Sequence, residues 1–259
     1  MLSIVDQYNY FEFFVFIFLM MVIRYLIVAV PLYSIFWLWR PQWTERSKIQ
    51  PSSRHKAIPR AELLYSLSTL FVTSLWGTVL FWVYKQGYLK IYTEIEGAQG
   101  YAYMVFTILI SMVIHDAYFY FAHRLMHTRK LFHYVHAVHH KSMNPTPFAS
   151  FSFHPIEAFV EVFFLLPLLL LLPMHPYAIF IFLFLTFFFN VAGHLGHELN
   201  PTGMWEKWWG RWLTTPTHHN LHHQLFNCNY ALYYRHWDRQ FDTLLASTGK
   251  VFNDIKART

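Results

Sequence analysis

Ten of the seventeen histidines in this chain fall into four tight clusters. They are His123 and His127 in HRLMH, His136, His139 and His140 in HAVHH, His194 and His197 in HLGH, and His219, His222 and His223 in HNLHH. On a helix, residues three or four apart project from one face, so each cluster could aim its imidazoles at one point. Catalytic zinc usually takes three protein ligands and structural zinc four. Ten are too many for one ion and suit two. Without a metal, burying so many imidazoles would strand donors and acceptors, and an exposed basic face would be built from Lys and Arg. Imidazole suits zinc, copper, iron and nickel alike, so spacing alone does not choose the metal.

Local sequence gives the clusters scaffolds. TTPTHHNLHH opens like a helix, with Thr214 or Thr215 as cap and Pro216 in the first turn. Asp116, His123 and His127 are seven and four residues apart, one helical phase, which makes Asp116 the candidate carboxylate to orient a ligand. Glu198, beside His197, and Glu157, near His154, are weaker candidates of the same kind. His55, His175 and His236 stand alone and read as ordinary packed or partly exposed residues.

The elements that must position these groups are membrane helices. Of 259 residues, 55% are hydrophobic, 21% aromatic and only 13% charged, about half the charge of a soluble domain. The net charge of +6 therefore reflects basic loops between apolar runs rather than nucleic-acid binding. Cys228 is the single cysteine, which rules out an internal disulfide framework and cysteine-built metal sites. No cleavable signal peptide is evident at the start.

A crossing helix needs ~20 apolar residues. Candidate spans run from Tyr10 to about Trp39, interrupted by Glu12 and Arg24, from about Leu63 to Tyr84, and from Tyr101 to about Phe121 across His115 and Asp116. Ala158 to Leu172, broken by Glu161 and Pro167, then meets Pro176 to Gly193 across a proline-flanked turn, as a helical hairpin that need not reach the far side. Lys and Arg concentrate in alternate loops: six lie between Arg40 and Arg60 and seven beyond residue 200. The positive-inside rule puts those loops in the cytoplasm. A hairpin returns the chain to the side it left, so all four clusters share that face. The expected fold is an all-α membrane protein of about four to five transmembrane or hairpin helices with a cytoplasmic histidine-rich helical cap.

The stretch from His115 through HRLMH and HAVHH to HPIEAF, with GHLGHE and THHNLHHQLFNCNYALYYRHWDRQFDT, resembles the membrane fatty acid hydroxylase/sterol desaturase superfamily. HxxxH, HxxHH and a later HxxHH stand in order. The resemblance covers roughly residues 100–245, dividing the chain into N-terminal membrane helices (1–100), a hydroxylase-like domain (101–245) and a tail (246–259). It implies two iron ions held by His123, His127, His136, His139, His140, His219, His222 and His223, with His194 and, less typically spaced, His197 from the segment between. Zinc could occupy the same ligands in purified material. His218 stands beside the last motif as a substitute ligand, and His154 matches a supporting position.

The activity so implied is O2-dependent hydroxylation or desaturation of a C–H bond in a sterol, ether lipid or fatty acyl chain. The chain contains no nucleotide fingerprint or cytochrome b5-type segment, so an external donor is implied: a cytochrome b5-like protein, ferredoxin or reductase. Arg124, Arg129 and Lys130 offer it a basic face. The HDxYFYFxHRxxH run is more similar to sterol C5-desaturases and alkylglycerol oxygenases than to fatty acid 2-hydroxylases. The DIKART ending, without a dilysine signal, favours a bacterial inner membrane over the endoplasmic reticulum. Two other classes compete. A membrane zinc hydrolase lacks its signature, because His197-Glu198 is followed by Leu, Asn and Pro. A metal transporter or sensor would place ligands at membrane depth, whereas these clusters lie at and beyond the span ends.

Overall fold

A computed structural model describes residues 7–50 and 60–259; His55, Arg54 and Lys56 lie outside the described residues. Four described helices are long and apolar enough to cross a membrane, and no strand forms among the described residues. Helix α1 (Tyr10–Tyr33) opens with a capping box in which Asn9 and Glu12 satisfy each other's backbone N–H at 2.9 Å. Glu12 therefore caps the span rather than interrupting it. The chain continues through a wider helical turn (Ser34–Trp39) and a short α2 (Gln42–Ser47). Helix α3 is Arg60–Lys85 and α4 is Gly97–Met126. At 30 residues, α4 runs past the expected Phe121 and carries His123 on its own last turn.

The expected hairpin is present with its first limb broken into α6 (Pro155–Phe163) and α7 (Leu165–Leu171), after a one-turn α5 (Phe132–Val135). Its second limb is α8 (Pro176–Gly193), capped by the His175 ring at Tyr177 N–H. The hairpin does not stop short. Lys90 N–H donates to Leu169 carbonyl at 3.0 Å and Met174 N–H to Lys90 carbonyl at 2.9 Å, which ties the tip to the loop between α3 and α4. Both limbs thus run the full height of the helices. Beyond α8 lie α9 (Pro216–Leu225), α10 (His236–Gln240) and α11 (Thr248–Lys256).

Aromatic packing joins the long helices. Phe13 stacks on Phe81 at 4.0 Å between α1 and α3, and Trp76 of α3 meets Phe159 of α6 edge-on at 5.1 Å. Ile108 and Met112 of α4 share a core with Phe164, Leu168 and Phe182 of the hairpin. The outer face of α1 leaves Phe16, Leu19, Ile23 and Ile27 exposed, as a lipid-facing helix does. At one end of the helices a polar frame holds the loop that follows HAVHH. Ser142 and Thr146 hydroxyls donate to the two Glu62 oxygens at 2.7 and 2.6 Å, and Tyr25 and Ser66 both donate to Phe148 carbonyl at 2.8 Å. The C-terminal ends of α1, α4 and α8 and the start of α3 converge there, and so do the histidines.

Candidate metal centre

Nine of the ten clustered histidines come together in two buried groups. His123 and His127 from the end of α4, His136 and His140 from the HAVHH segment, and His222 from α9 form the first. His139, His194, His219 and His223 form the second. In each group one ligand nitrogen per residue lies within 4.8 Å of all the others. The groups adjoin, with the His140 and His223 rings 4.8 Å apart.

The clusters do not each aim at one point. Both HxxHH motifs divide: the outer pair, four residues apart, stays together, and the middle histidine crosses to the other group. His136 and His140 face the first group while His139 faces the second; His219 and His223 face the second while His222 faces the first. In α9 this follows from helical geometry, set by Thr215, which accepts His218 N–H at 3.2 Å, and by Pro216 in the first turn. HAVHH is no regular helix. One helical turn, closed by His140 N–H to His136 carbonyl at 3.3 Å, gives it the same display.

The proton positions on the rings are constrained by their outer partners. His123 Nδ1 lies 2.8 Å from Tyr230 carbonyl, His136 Nδ1 2.6 Å from Glu157, His222 Nδ1 2.7 Å from Cys228 carbonyl, and His194 Nδ1 2.7 Å from Asn190 carbonyl. The three carbonyls only accept, so Nδ1 of His123, His222 and His194 carries the proton and each of their Nε2 atoms is a bare lone pair; an ionised Glu157 sets His136 the same way. Yet His123 Nε2 and His136 Nε2 face each other at 3.1 Å. Two lone pairs at that distance repel unless a cation lies between them. The other Nε2 contacts within the groups are 3.1–3.2 Å. Neighbouring ligands at right angles around one ion keep that spacing at about 2.2 Å from it, slightly beyond the ~2.0–2.1 Å of zinc–imidazole bonds. The donor set therefore fits a divalent transition metal in each group.

Burial first, and then the neighbouring histidines, hold His136, His139, His219, His222 and His223 neutral well below the ordinary imidazole range. His140 is pushed down to about 3 and His194 to about 4, in both cases chiefly by burial. Neutral imidazole is the ligand form.

His197 is the exception. Helix α8 ends at Gly193, so the three-residue spacing to His194 no longer means a shared face. Gly196, at φ +76°, turns the chain where a Cβ would strike Trp37. His197 then points away, its Nδ1 2.9 Å from Thr44 carbonyl and its ring against Phe36 and Trp37.

Asp116 also lies apart from the histidine groups. Its Oδ1 accepts the N–H groups of Tyr233 and Tyr234 at 2.9 and 3.2 Å, and its Oδ2 lies 3.9 Å from His236. Seven helical residues put it about 10 Å along the axis from His123, beyond the reach of a carboxylate. Glu157 is the carboxylate that touches a grouped histidine. His154 caps α6, with Nδ1 accepting Ile156 N–H at 3.3 Å. Glu198 accepts Thr217 N–H at 3.0 Å, steadying the start of α9.

Sequence reasoning left Asp238 unassigned. Its carboxylate takes His218 Nε2 at 3.0 Å together with the N–H groups of Tyr230 and Ala231. Burial alone would raise its pKa, but His218, Thr243 and the Tyr230 N–H hold it below the usual carboxylate range. It thereby fixes Tyr230, whose carbonyl orients His123, and it occupies His218, the substitute ligand.

Two apolar cavities end at the histidines. One, of about 250 Å³, runs among the helices from Phe13 and Ile17 of α1 to His123, His136, His139 and His194. The other, of about 380 Å³, lies between α1 and α8, where Phe184 and Phe188 are exposed, and reaches His194 and His219.

The fatty acid hydroxylase family model matches residues 108–243, a stretch containing every histidine in both groups. The chain belongs to the fatty acid hydroxylase family. Its curated relatives include a Delta(7)-sterol 5(6)-desaturase of Gibberella zeae, 33% identical over 150 residues, covering 58% of this chain and 44% of the relative. Lathosterol oxidase of Rattus norvegicus is 28% identical over 181 residues, 69% of this chain and 58% of the enzyme. The Saccharomyces cerevisiae Delta(7)-sterol 5(6)-desaturase is 32% identical over 154 residues, 59% of this chain and 39% of the relative. The family member described here thus spans about half the length of the curated relatives it matches. No solved structure matches it.

Proposed function

We propose that this family member is a membrane di-iron oxygenase that hydroxylates or desaturates a lipid. His123, His127, His136, His140 and His222 would hold one iron, and His139, His194, His219 and His223 the other. Bound iron supplies dioxygen activation, which removes hydrogen from an unactivated C–H bond and leaves a hydroxyl or, with a second hydrogen lost, a double bond. Hydroxylation takes O2, two electrons and two protons and releases one water; desaturation releases two. A cytochrome b5-like protein, ferredoxin or reductase would supply the electrons, docking near Arg124, Arg129 and Lys130. The site would face the cytoplasm from a bacterial inner membrane or the endoplasmic reticulum.

The chain's own part is to orient and to exclude water. Glu157 and the Tyr230, Cys228 and Asn190 carbonyls orient four of the nine rings, and the three carbonyls leave Nε2 of His123, His222 and His194 unprotonated before any ion arrives. The inner cavity carries an apolar chain or ring system to the histidines, and its phenylalanine walls keep water from the reacting carbon. The relatives' names make sterols the first lipids to test.

The observation that carries this reading is the convergence of nine histidines into two adjoining groups, each with its ligand nitrogens within 4.8 Å of one another. A zinc hydrolase gains nothing from the geometry, since His197-Glu198 faces away. The test is metal content and O2 uptake of detergent-purified protein grown with iron. Near two irons per chain, with donor- and lipid-dependent O2 consumption, is the expected result. One zinc with no iron would overturn it, and two zincs would leave only the dinuclear geometry standing.

A further inference from the structure

The inner cavity is apolar along most of its length, and three of the polar groups on its wall at membrane depth stand apart from the rest: Arg24 of α1, Trp76 of α3 and Glu161 of α6. None of the three has a hydrogen bond or ion pair with a described residue. Arg24 stacks on Phe187 at 4.5 Å, with its buried Nε unpartnered. The buried indole N–H of Trp76 is likewise unpartnered. Trp76 packs against Phe159 and Phe163, which bracket Glu161 along α6. By contrast Thr73, on the same wall, donates to Thr69 carbonyl, and Glu157 is committed to His136.

Polar groups in a membrane interior are costly and mark functional sites by default, and unsatisfied buried donors are rare enough to need a reason. One unsatisfied group would be an accident of packing. Two donors and an acceptor on one cavity wall describe a ligand.

We propose that Arg24, Trp76 and Glu161 form a polar station that binds the hydroxyl group of an uncharged amphipathic lipid and sets which carbon lies against the histidines. A hydroxyl accepts from Arg24 or Trp76 and donates to Glu161, meeting both kinds of group. A fatty acid carboxylate has no hydrogen to donate and would leave the Glu161 acceptor unserved. The station's depth fixes the reach. Phe187, under Arg24, lies seven residues before His194, about 10 Å along α8, and Glu161 lies one turn, about 6 Å, beyond Glu157. The oxidised carbon would then lie within about 10 Å of the hydroxyl.

This assignment rests on the lipid-oxygenase reading, but binding tests it without turnover. The full chain, iron-loaded and in nanodiscs, would be titrated with lathosterol, its 3-O-methyl ether, 1-octadecanol, its methyl ether and oleate. The station predicts saturable binding of an alcohol about tenfold tighter than its ether, the weight of one hydrogen bond, and weaker binding of oleate. Discrimination confined to lathosterol assigns a ring-fused hydroxyl; discrimination confined to octadecanol assigns a chain alcohol. Glu161→Leu and Arg24→Met should erase the preference while metal content stays at the wild-type level. Trp76→Phe, which removes the N–H and narrows the indole to a single ring while keeping an aromatic side chain, should weaken alcohol binding even if the charge variants fold poorly. Equal binding of alcohol and ether, tighter binding of oleate, no binding of any probe, or unchanged discrimination in metal-replete variants would each overturn the station. Absence of iron and of O2 uptake would separately remove the oxygenase reading.

Discussion

The two histidine groups differ in how they are held. In the first, three of five rings are anchored through Nδ1, to Tyr230 carbonyl, Glu157 and Cys228 carbonyl. In the second, one of four is so anchored, His194 to Asn190 carbonyl, and Nδ1 of His139 and of His223 has no partner, as is also true of His140 in the first group. The second group also has one ligand fewer, and two of its members, His194 and His219, line both cavities. An anchored ring is oriented before the ion arrives, and an unanchored one is oriented by the ion. The comparison teaches that the first group is the more preorganised of the two, while the second has one ligand fewer and opens on both cavities.

The largest effect expected is from His139→Ala or His222→Ala, each deleting one ligand. Both should abolish lipid-dependent O2 uptake, and metal analysis should show loading fall in each. Normal turnover in either would break the ligand assignment. Glu157→Gln acts next, loosening His136 only. Metal affinity should fall about 10- to 100-fold at the first group with the second unchanged, read by competition with a chelator; equal loss from both would erase the contrast.

Acid should follow. Burial depresses the second group's His194 to about 4 and the first group's His140 to about 3, against an unfolded value near 6.5. The unfolded chain therefore takes up protons first as pH falls. Metal-free protein should keep its full stability above about pH 6.5 and lose it progressively through 4 and then 3, which thermal melts across that range would show. Stability that rises on acidification would contradict the buried, neutral rings. The smallest effect expected is from His197→Gln. It should leave metal content and activity intact and cost about 1 kcal/mol for the lost hydrogen bond to Thr44 carbonyl, which the Ser47 hydroxyl also serves, visible as a lowered Tm.

Much of this was legible in the residues. Apolar runs announced the four long helices, and the proline-flanked turn at 173–176 announced the hairpin. The histidine spacings announced imidazoles gathered at one end of the bundle. The partition of each HxxHH motif was not legible, because it depends on how α9 meets the HAVHH turn across more than seventy residues of sequence. Nor was the exit of His197, which depends on a helix ending one residue before His194. The acceptors that orient the rings are mostly backbone carbonyls, and a carbonyl carries no letter. Asp116 misled because helical phase gives direction and not distance; Glu157, in the first turn of α6, lies within contact of His136 despite a weaker signal.

The crossed sharing of the two HxxHH motifs has a consequence for how the molecule is made. Each motif contributes to both groups, so the first is complete only when α4, the HAVHH turn and α9 have met, and the second only when the HAVHH turn, α8 and α9 have met. His123 and His222 are nearly a hundred residues apart, and an ion joining them ties the chain as a covalent cross-link would. Under the proposed di-iron reading, metal supply becomes a condition of assembly: without it the helices would stand in the bilayer with an open cap, which limited proteolysis of metal-depleted protein would detect.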